Sequence, residues 1–203
     1  MTAPLKHRRV FAAAIAIIAW IGLTTQFDAS YALVSSVPET IWVMIRYFTV
    51  IVNLLVAIVF TAIALNIPGL SSPFRLAGVT IAIMLVGVVY NLLLTGLIEL
   101  SGGAKLADLI NHSITPALVP LYWLFAAEKG RLHRRDPLLW ALLPLAYFGY
   151  ALIRGPLEGV YAYPFMNVAR LGWGQTLINA AVMAVGFMAA GYGLVWLDRR
   201  LPR

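Results

Sequence analysis

Residues 106–127, LADLINHSITPALVPLYWLFAA, decide how this chain is read. The run is long and apolar enough to cross a lipid bilayer, yet its first half carries Asp108, Asn111, His112 and Thr115. Those positions are i, i+3, i+4 and i+7, so a helix stacks them on one face. Pro116 and Pro120 follow. Pro116 offers no N–H to the carbonyl of His112, so the spacing predicts a kink where the polar stripe ends. In a water-soluble protein such a stripe is the outer face of an amphipathic helix, a reading that the rest of the composition excludes.

Of the 203 residues, 62% are hydrophobic and 11% charged, and the mean hydropathy is +0.87. This balance predicts an all-α, polytopic membrane bundle rather than a soluble domain. A bilayer core about 30 Å thick takes roughly 20 mostly apolar residues per helix. Six segments qualify, at about 10–27, 41–66, 76–100, 106–127, 137–153 and 171–197, and the short links between them predict one integral-membrane domain over 1–203. With a cytoplasmic amino terminus, that side gathers Lys6, Arg8, Arg9, Arg75, Lys129, Arg131, Arg134, Arg135, Arg199, Arg200 and Arg203 out of the fifteen lysines and arginines. Both termini are therefore expected in the cytoplasm. The net charge of +7 reads as topogenic, not as a nucleic-acid surface, because it sits in short clusters beside apolar runs. The basic start followed by an apolar run also has the form of a signal peptide, but the run is longer than most and favours a retained span. Cysteine is absent, which excludes disulfides, thiolate metal sites and a cysteine nucleophile.

Polar positions recur on the other expected spans. Arg46, Thr49 and Asn53 are at i, i+3 and i+7 in the second, and Asn91, Thr95 and Glu99 come at steps of four in the third. Tyr147, Tyr150 and Arg154 share a face of the fifth, and Gln175 and Asn179 open the sixth. At a rise of about 1.5 Å per residue, Thr49, Asn91 and Asn179 lie about 12 Å, and His112 about 8 Å, below the outer ends of their spans. The inner halves, such as LVAIVFTAIAL at 55–65 and AVMAVGFMAAGYGLVWL at 181–197, are almost purely apolar. Unpaired polar groups are costly in hydrocarbon, so the stripes are expected to surround a polar cavity open to the outer leaflet. The connection 155–170, GPLEGVYAYPFMNVAR, reads either as a lid over that mouth or as an interfacial anchor.

Each candidate has a plain reading beside the functional one. His112 is the only histidine inside an expected span. Alone it suits a helix-to-helix hydrogen bond; with Asp108 one turn away it has the partner that fixes a tautomer. It does not make a set of metal ligands, and no metal or other cofactor is expected. Thr49 in its plain reading bonds the carbonyl four residues back. Arg46 and Arg154 either reach lipid phosphates or hold an anionic group of a ligand. The motifs Gly-x-Ser-x-Gly, Gly-x-Gly-x-x-Gly and His-Glu-x-x-His do not occur.

FTVIVNLL at 48–55, NHSITPALVP at 111–120 and YPF at 163–165 resemble the androgen-induced-gene family of six-span membrane proteins, in its bacterial branch. The resemblance covers roughly residues 41–172 and implies a location in the bacterial inner membrane. Mammalian members are threonine hydrolases that cleave fatty acid esters of hydroxy fatty acids. The resemblance places their nucleophile at Thr49. Their Asn-His-x-x-His motif has its catalytic histidine at the fifth position, where this chain has Thr115, and His112 matches the first histidine. The expectation that results is a membrane-embedded lipid-ester hydrolase with Thr49 as nucleophile and His112 as base. Arg46, Asn53, Asn91, Asp108, Asn111, Thr115, Arg154 and Asn179 are expected around a lipid or fatty-acid-ester ligand, with Asn53, Asn91 or Asn111 supplying oxyanion donors. The alternative is a non-catalytic binder or carrier of a lipid or amphiphile that uses the same cavity. A third reading is a structural membrane protein whose polar groups only join helices.

Overall fold

A computed structural model describes residues 5–202; Arg203, one of the charges behind the expected orientation, lies outside them. The described residues form helices and no strand. Five helical runs are long and apolar enough to cross a membrane: Leu5–Val34, Phe48–Leu65, Pro73–Leu94, Asp136–Glu158 and Val168–Arg200. Residues 102–126, where the fourth crossing was expected, are helical as well but fall outside those five; this is the run with the polar stripe and the two prolines. The chain divides into two compact units, Met1–Leu132 with Asp198–Arg203, and His133–Leu197.

In the first unit, α1 (Leu5–Val34) packs along α3 (Phe48–Leu65) and α5 (Gly102–Leu109). Its buried face is Ala12, Ile15, Ala16, Ala19, Gly22 and Leu23, mostly small residues spaced by threes and fours. Small side chains let helix backbones come close without an aqueous driving force, as in membrane bundles. Opposite them on α3 lie Val52, Asn53, Val56, Ala57 and Phe60, all buried. The other pairs are α3 with α4 (Pro73–Val89), and α4 with α6 (Thr115–Ala126). Outward-facing residues are apolar too: Ile17, Leu33, Leu54, Leu92, Leu109 and Phe125 are all exposed, a surface compatible with lipid rather than water.

Several expected spans are interrupted. The second splits into α2 (Val37–Met44) and α3, with a break at residues 45–47 that contains Arg46, while Thr49 and Asn53 lie on α3. No proline or glycine marks that break. The third leaves the α-helical register after Val89, passes through a π-helical turn at Tyr90–Leu94, and is irregular over 95–101, so Glu99 does not continue the stripe of Asn91. The fourth is α5, a second π-helical turn at Ile110–Ile114, and α6. A π turn carries one extra residue and therefore rotates the helix beyond it relative to the helix before it. That rotation splits the expected single stripe. Asn111 and Thr115 turn into the packing, 1% and 0% exposed, while Asp108 and His112 remain partly open.

The second unit holds α7 (Asp136–Trp140), α8 (Leu142–Glu158), a 3-10 turn at Pro164–Met166 and most of α9 (Val168–Arg200). Gly172 bends α9 with φ 74°, a conformation open to glycine because it lacks a Cβ. The long connection is shorter than expected, since α8 runs on to Glu158.

Candidate functional site

The second π turn answers the proline. Within it the Thr115 N–H bonds the carbonyl of Ile110, five residues back. In the same register the carbonyl of Asn111 would receive the N–H that Pro116 lacks. Asn53 on α3 fills the gap: its Nδ2 donates to Asn111 O at 3.1 Å and to its own helix at Thr49 O, 2.9 Å. Two glycines admit this close packing. A Cβ on Gly87 would lie 2.6 Å from Pro116 Cβ, and one on Gly22 would lie 2.5 Å from Asn111 Oδ1. Asn111 Nδ2 in turn donates to Gly22 O at 3.3 Å.

With α3 and the π turn joined in this way, Thr49 and His112 face each other. Thr49 Oγ1 is 3.2 Å from His112 Nε2. The other ring nitrogen, Nδ1, is 2.9 Å from Asp108 Oδ1 and 3.2 Å from the Asp108 carbonyl. Two acceptors at Nδ1 place the imidazole proton there, which leaves the Nε2 lone pair for the threonine hydroxyl to donate to. Tyr90, the first residue of the other π turn, closes the cluster. Its hydroxyl donates to Asp108 Oδ2 at 2.5 Å, and its ring stacks on His112 with centroids 4.0 Å apart and planes 15° from parallel. Thr49 is 7% exposed, and the His112 and Asp108 side chains are 17% and 22% exposed. A hydroxyl, an imidazole and a carboxylate in this order form a relay able to activate the hydroxyl as a nucleophile.

The remaining expected residues are placed differently. Asn53 and Asn111 spend their amide protons on main-chain carbonyls, and Asn91 Nδ2 donates to Gly87 O at 2.8 Å. Asn53 Nδ2 thus meets two carbonyls, Thr49 O and Asn111 O, whereas Asn111 and Asn91 each give one amide proton to a main-chain carbonyl. Thr115 is buried in the packing. Arg46 sits in the break before α3. Asp108 bonds both His112 and Tyr90 and stays partly open. Arg154 and Asn179 belong to the second unit, where Arg154 Nε donates to Glu158 Oε1 at 2.7 Å, Arg154 also reaches the Tyr150 hydroxyl, and Asn179 Nδ2 donates to Phe165 O at 3.0 Å.

Tyr90 is missing from the sequence-based set. It stands next to Asn91 but off the spacing by fours, at the point where the α-helical register of α4 ends and the π turn begins. A second polar group in the first unit was also missed. Arg8, Tyr122, Glu128 and Asp198 line a cavity of about 80 Å3 together with Ile63, Ser71 and Leu76. Next to it Lys129 caps the end of α6, donating to the carbonyls of Trp123 and Ala127. Burial pushes the Lys129 ammonium down to about 8, against the pull of Asp198 and with Arg8 adding to the drop. Ile63 stands fourteen residues beyond Thr49 on α3, roughly 21 Å along the helix, so this cavity lies at the other end of the unit.

In comparisons with protein-family models, curated proteins and solved structures, nothing matches this chain.

Proposed function

We propose that the chain is a membrane-embedded threonine hydrolase of lipid esters, a bacterial relative of the androgen-induced-gene family. In this reading six helices cross the bacterial inner membrane, both termini are cytoplasmic, and Thr49 works in the outer half of the bilayer. The observation that carries the proposal is the 3.2 Å approach of Thr49 Oγ1 to His112 Nε2, with Nδ1 anchored on Asp108 at 2.9 Å. A threonine hydroxyl is a poor nucleophile until a base within about 3 Å takes its proton.

In this reading each of those contacts has a chemical role. His112 Nε2 accepts the Thr49 proton as Oγ1 attacks the ester carbonyl, and the imidazolium is stabilised by the Asp108 carboxylate. The electron pair of the carbonyl goes onto its oxygen. Stabilisation of that oxyanion is assigned to the positive end of the α3 dipole, where Thr49 is the second helical residue. Collapse breaks the bond to the alcohol oxygen, which takes the proton from Nε2 and departs. Thr49 is left as an acyl ester. Water, deprotonated by the same nitrogen, then releases the acid and restores the hydroxyl. The exposed Leu92, Leu93, Leu106 and Leu109 near Tyr90 and Asp108 in sequence suit an approach from the lipid side.

The purified protein should be labelled covalently by a fluorophosphonate probe, and Thr49→Ala should abolish labelling while Thr49→Ser retains it. Equal labelling of wild type and Thr49→Ala would refute the nucleophile.

A further inference from the structure

The contacts of Thr49, His112 and Asp108 among themselves leave two rotations open. An imidazole bonded at Nδ1 and, at 3.2 Å, at Nε2 still has play about its Cβ–Cγ bond once Thr49 gives up its proton, and a carboxylate held through one oxygen can turn about its own bond. Nδ1 also has a choice of acceptor, Asp108 Oδ1 at 2.9 Å or the Asp108 carbonyl at 3.2 Å. The two are not equivalent. A carboxylate stabilises the imidazolium that forms during proton transfer, and a neutral helix carbonyl does so far less. Whatever pins the carboxylate therefore decides how well His112 works as a base.

Tyr90 is placed to do both jobs. Its hydroxyl takes Asp108 Oδ2 at 2.5 Å, which leaves Oδ1 turned toward Nδ1. Its ring lies 4.0 Å from the imidazole at 15°, which blocks rocking on one face. Tyr90 is itself fixed by the π turn: the N–H of Thr95 bonds the Tyr90 carbonyl at 3.0 Å, and the Thr95 hydroxyl bonds the same oxygen at 3.1 Å. In an uninterrupted α-helix that carbonyl would go to residue 94.

We propose that Tyr90 is the positioning residue of this site, holding the Asp108 carboxylate on Nδ1 and the plane of His112 on Thr49. The proposal rests on the hydrolase reading of the Thr49–His112 pair and deepens it. Tyr90 touches no reacting atom. Its effect passes through Asp108 and His112, so it belongs to turnover rather than to substrate binding.

Two variants separate its two contacts. Tyr90→Phe keeps the stack and removes the hydroxyl; Tyr90→Leu removes both. On a chromogenic acyl ester, Tyr90→Phe should lower kcat by about ten- to a hundredfold, the scale of one hydrogen bond to a charged group, with KM within about twofold. Tyr90→Leu should lose more. A second readout needs no turnover. With His7 and His133 replaced by Gln, the single remaining imidazole is followed by nitrogen-15 NMR. The Nδ1 proton should resonate far downfield in the otherwise unchanged protein and move upfield in Tyr90→Phe as the proton passes to the helix carbonyl. An Nδ1 resonance unmoved by Tyr90→Phe overturns the proposal. Failure of the hydrolase reading looks different: Thr49→Ala then turns over the ester like the wild type, while the His112 resonance still decides the role of Tyr90. If Thr49→Ala is inactive and Tyr90→Phe keeps full kcat, only the positioning role falls.

Discussion

On α8, Arg154 bonds Glu158 at 2.7 Å and also reaches Tyr150, each one turn away on the same helix. Gln175 bonds Asn179 one turn along α9 at 2.9 Å, and Asn179 reaches back to Phe165 O in the turn just before that helix. At the Thr49 site the bonds run the other way, from helix to helix: Thr49 to His112, Tyr90 to Asp108, Asn53 to Asn111. Both regions read in sequence as polar residues spaced by threes and fours. Side-chain bonds between residues one turn apart brace the local turn of a helix. A stripe whose members are satisfied across helices fixes how those helices pack, and it brings together groups that a single helix could not align. The proposed hydrolase function places its chemistry at the Thr49 cluster and asks of the Arg154 stripe only local support.

The contrast breaks most sharply at Asp108. Asp108→Asn keeps the shape and removes the charge, and steady-state turnover of an acyl ester should fall at least a hundredfold, about 3 kcal/mol. Turnover within twofold of wild type would put the Thr49 cluster in the same structural class as the Arg154 stripe. A smaller effect is expected from Asn53→Leu, which strands the carbonyl of Asn111 inside the packing. Stability should drop by about 2 kcal/mol, read from chemical denaturation in mild detergent. An unchanged midpoint would show that the π turn stands without its cross-helix amide. The smallest effect is assigned to Glu158→Gln. The Glu158 side chain is 20% exposed but that of Arg154 only 5%; Gln keeps a neutral acceptor for Arg154 Nε, so the loss should be about 1.5 kcal/mol, below that of Asn53→Leu, and fluorophosphonate labelling of Thr49 should proceed at the wild-type rate. A labelling defect in Glu158→Gln would erase the distinction drawn between the two stripes.

Much of this could be read before any coordinates. The apolar runs announce helices fit for a membrane, because length and hydropathy are local properties, and Thr49, Asp108 and His112 stand out as polar residues where apolar ones are the rule. The expected faces were less secure. They assume an unbroken 3.6-residue repeat, and two π turns and the break at 45–47 violate it. Asn111 and Thr115 are packed inside while Asp108 and His112 stay partly open, Arg46 precedes α3 instead of lying on it, and Tyr90 was overlooked because it stands off the spacing by fours. Lys129, Tyr122 and Asp198 were passed over for another reason: they are far apart in sequence and share no motif.

From the sequence alone came the helical class, the apolar surface and a short roll of polar residues buried at a cost. Each is fixed by composition and by periodicity along one chain segment. Only tertiary structure decided which of those residues meet. A missing N–H at Pro116 is a local fact, but its repair by Asn53 comes from a helix fifty-eight residues away in sequence, and that repair sets the packing through which Thr49 reaches His112.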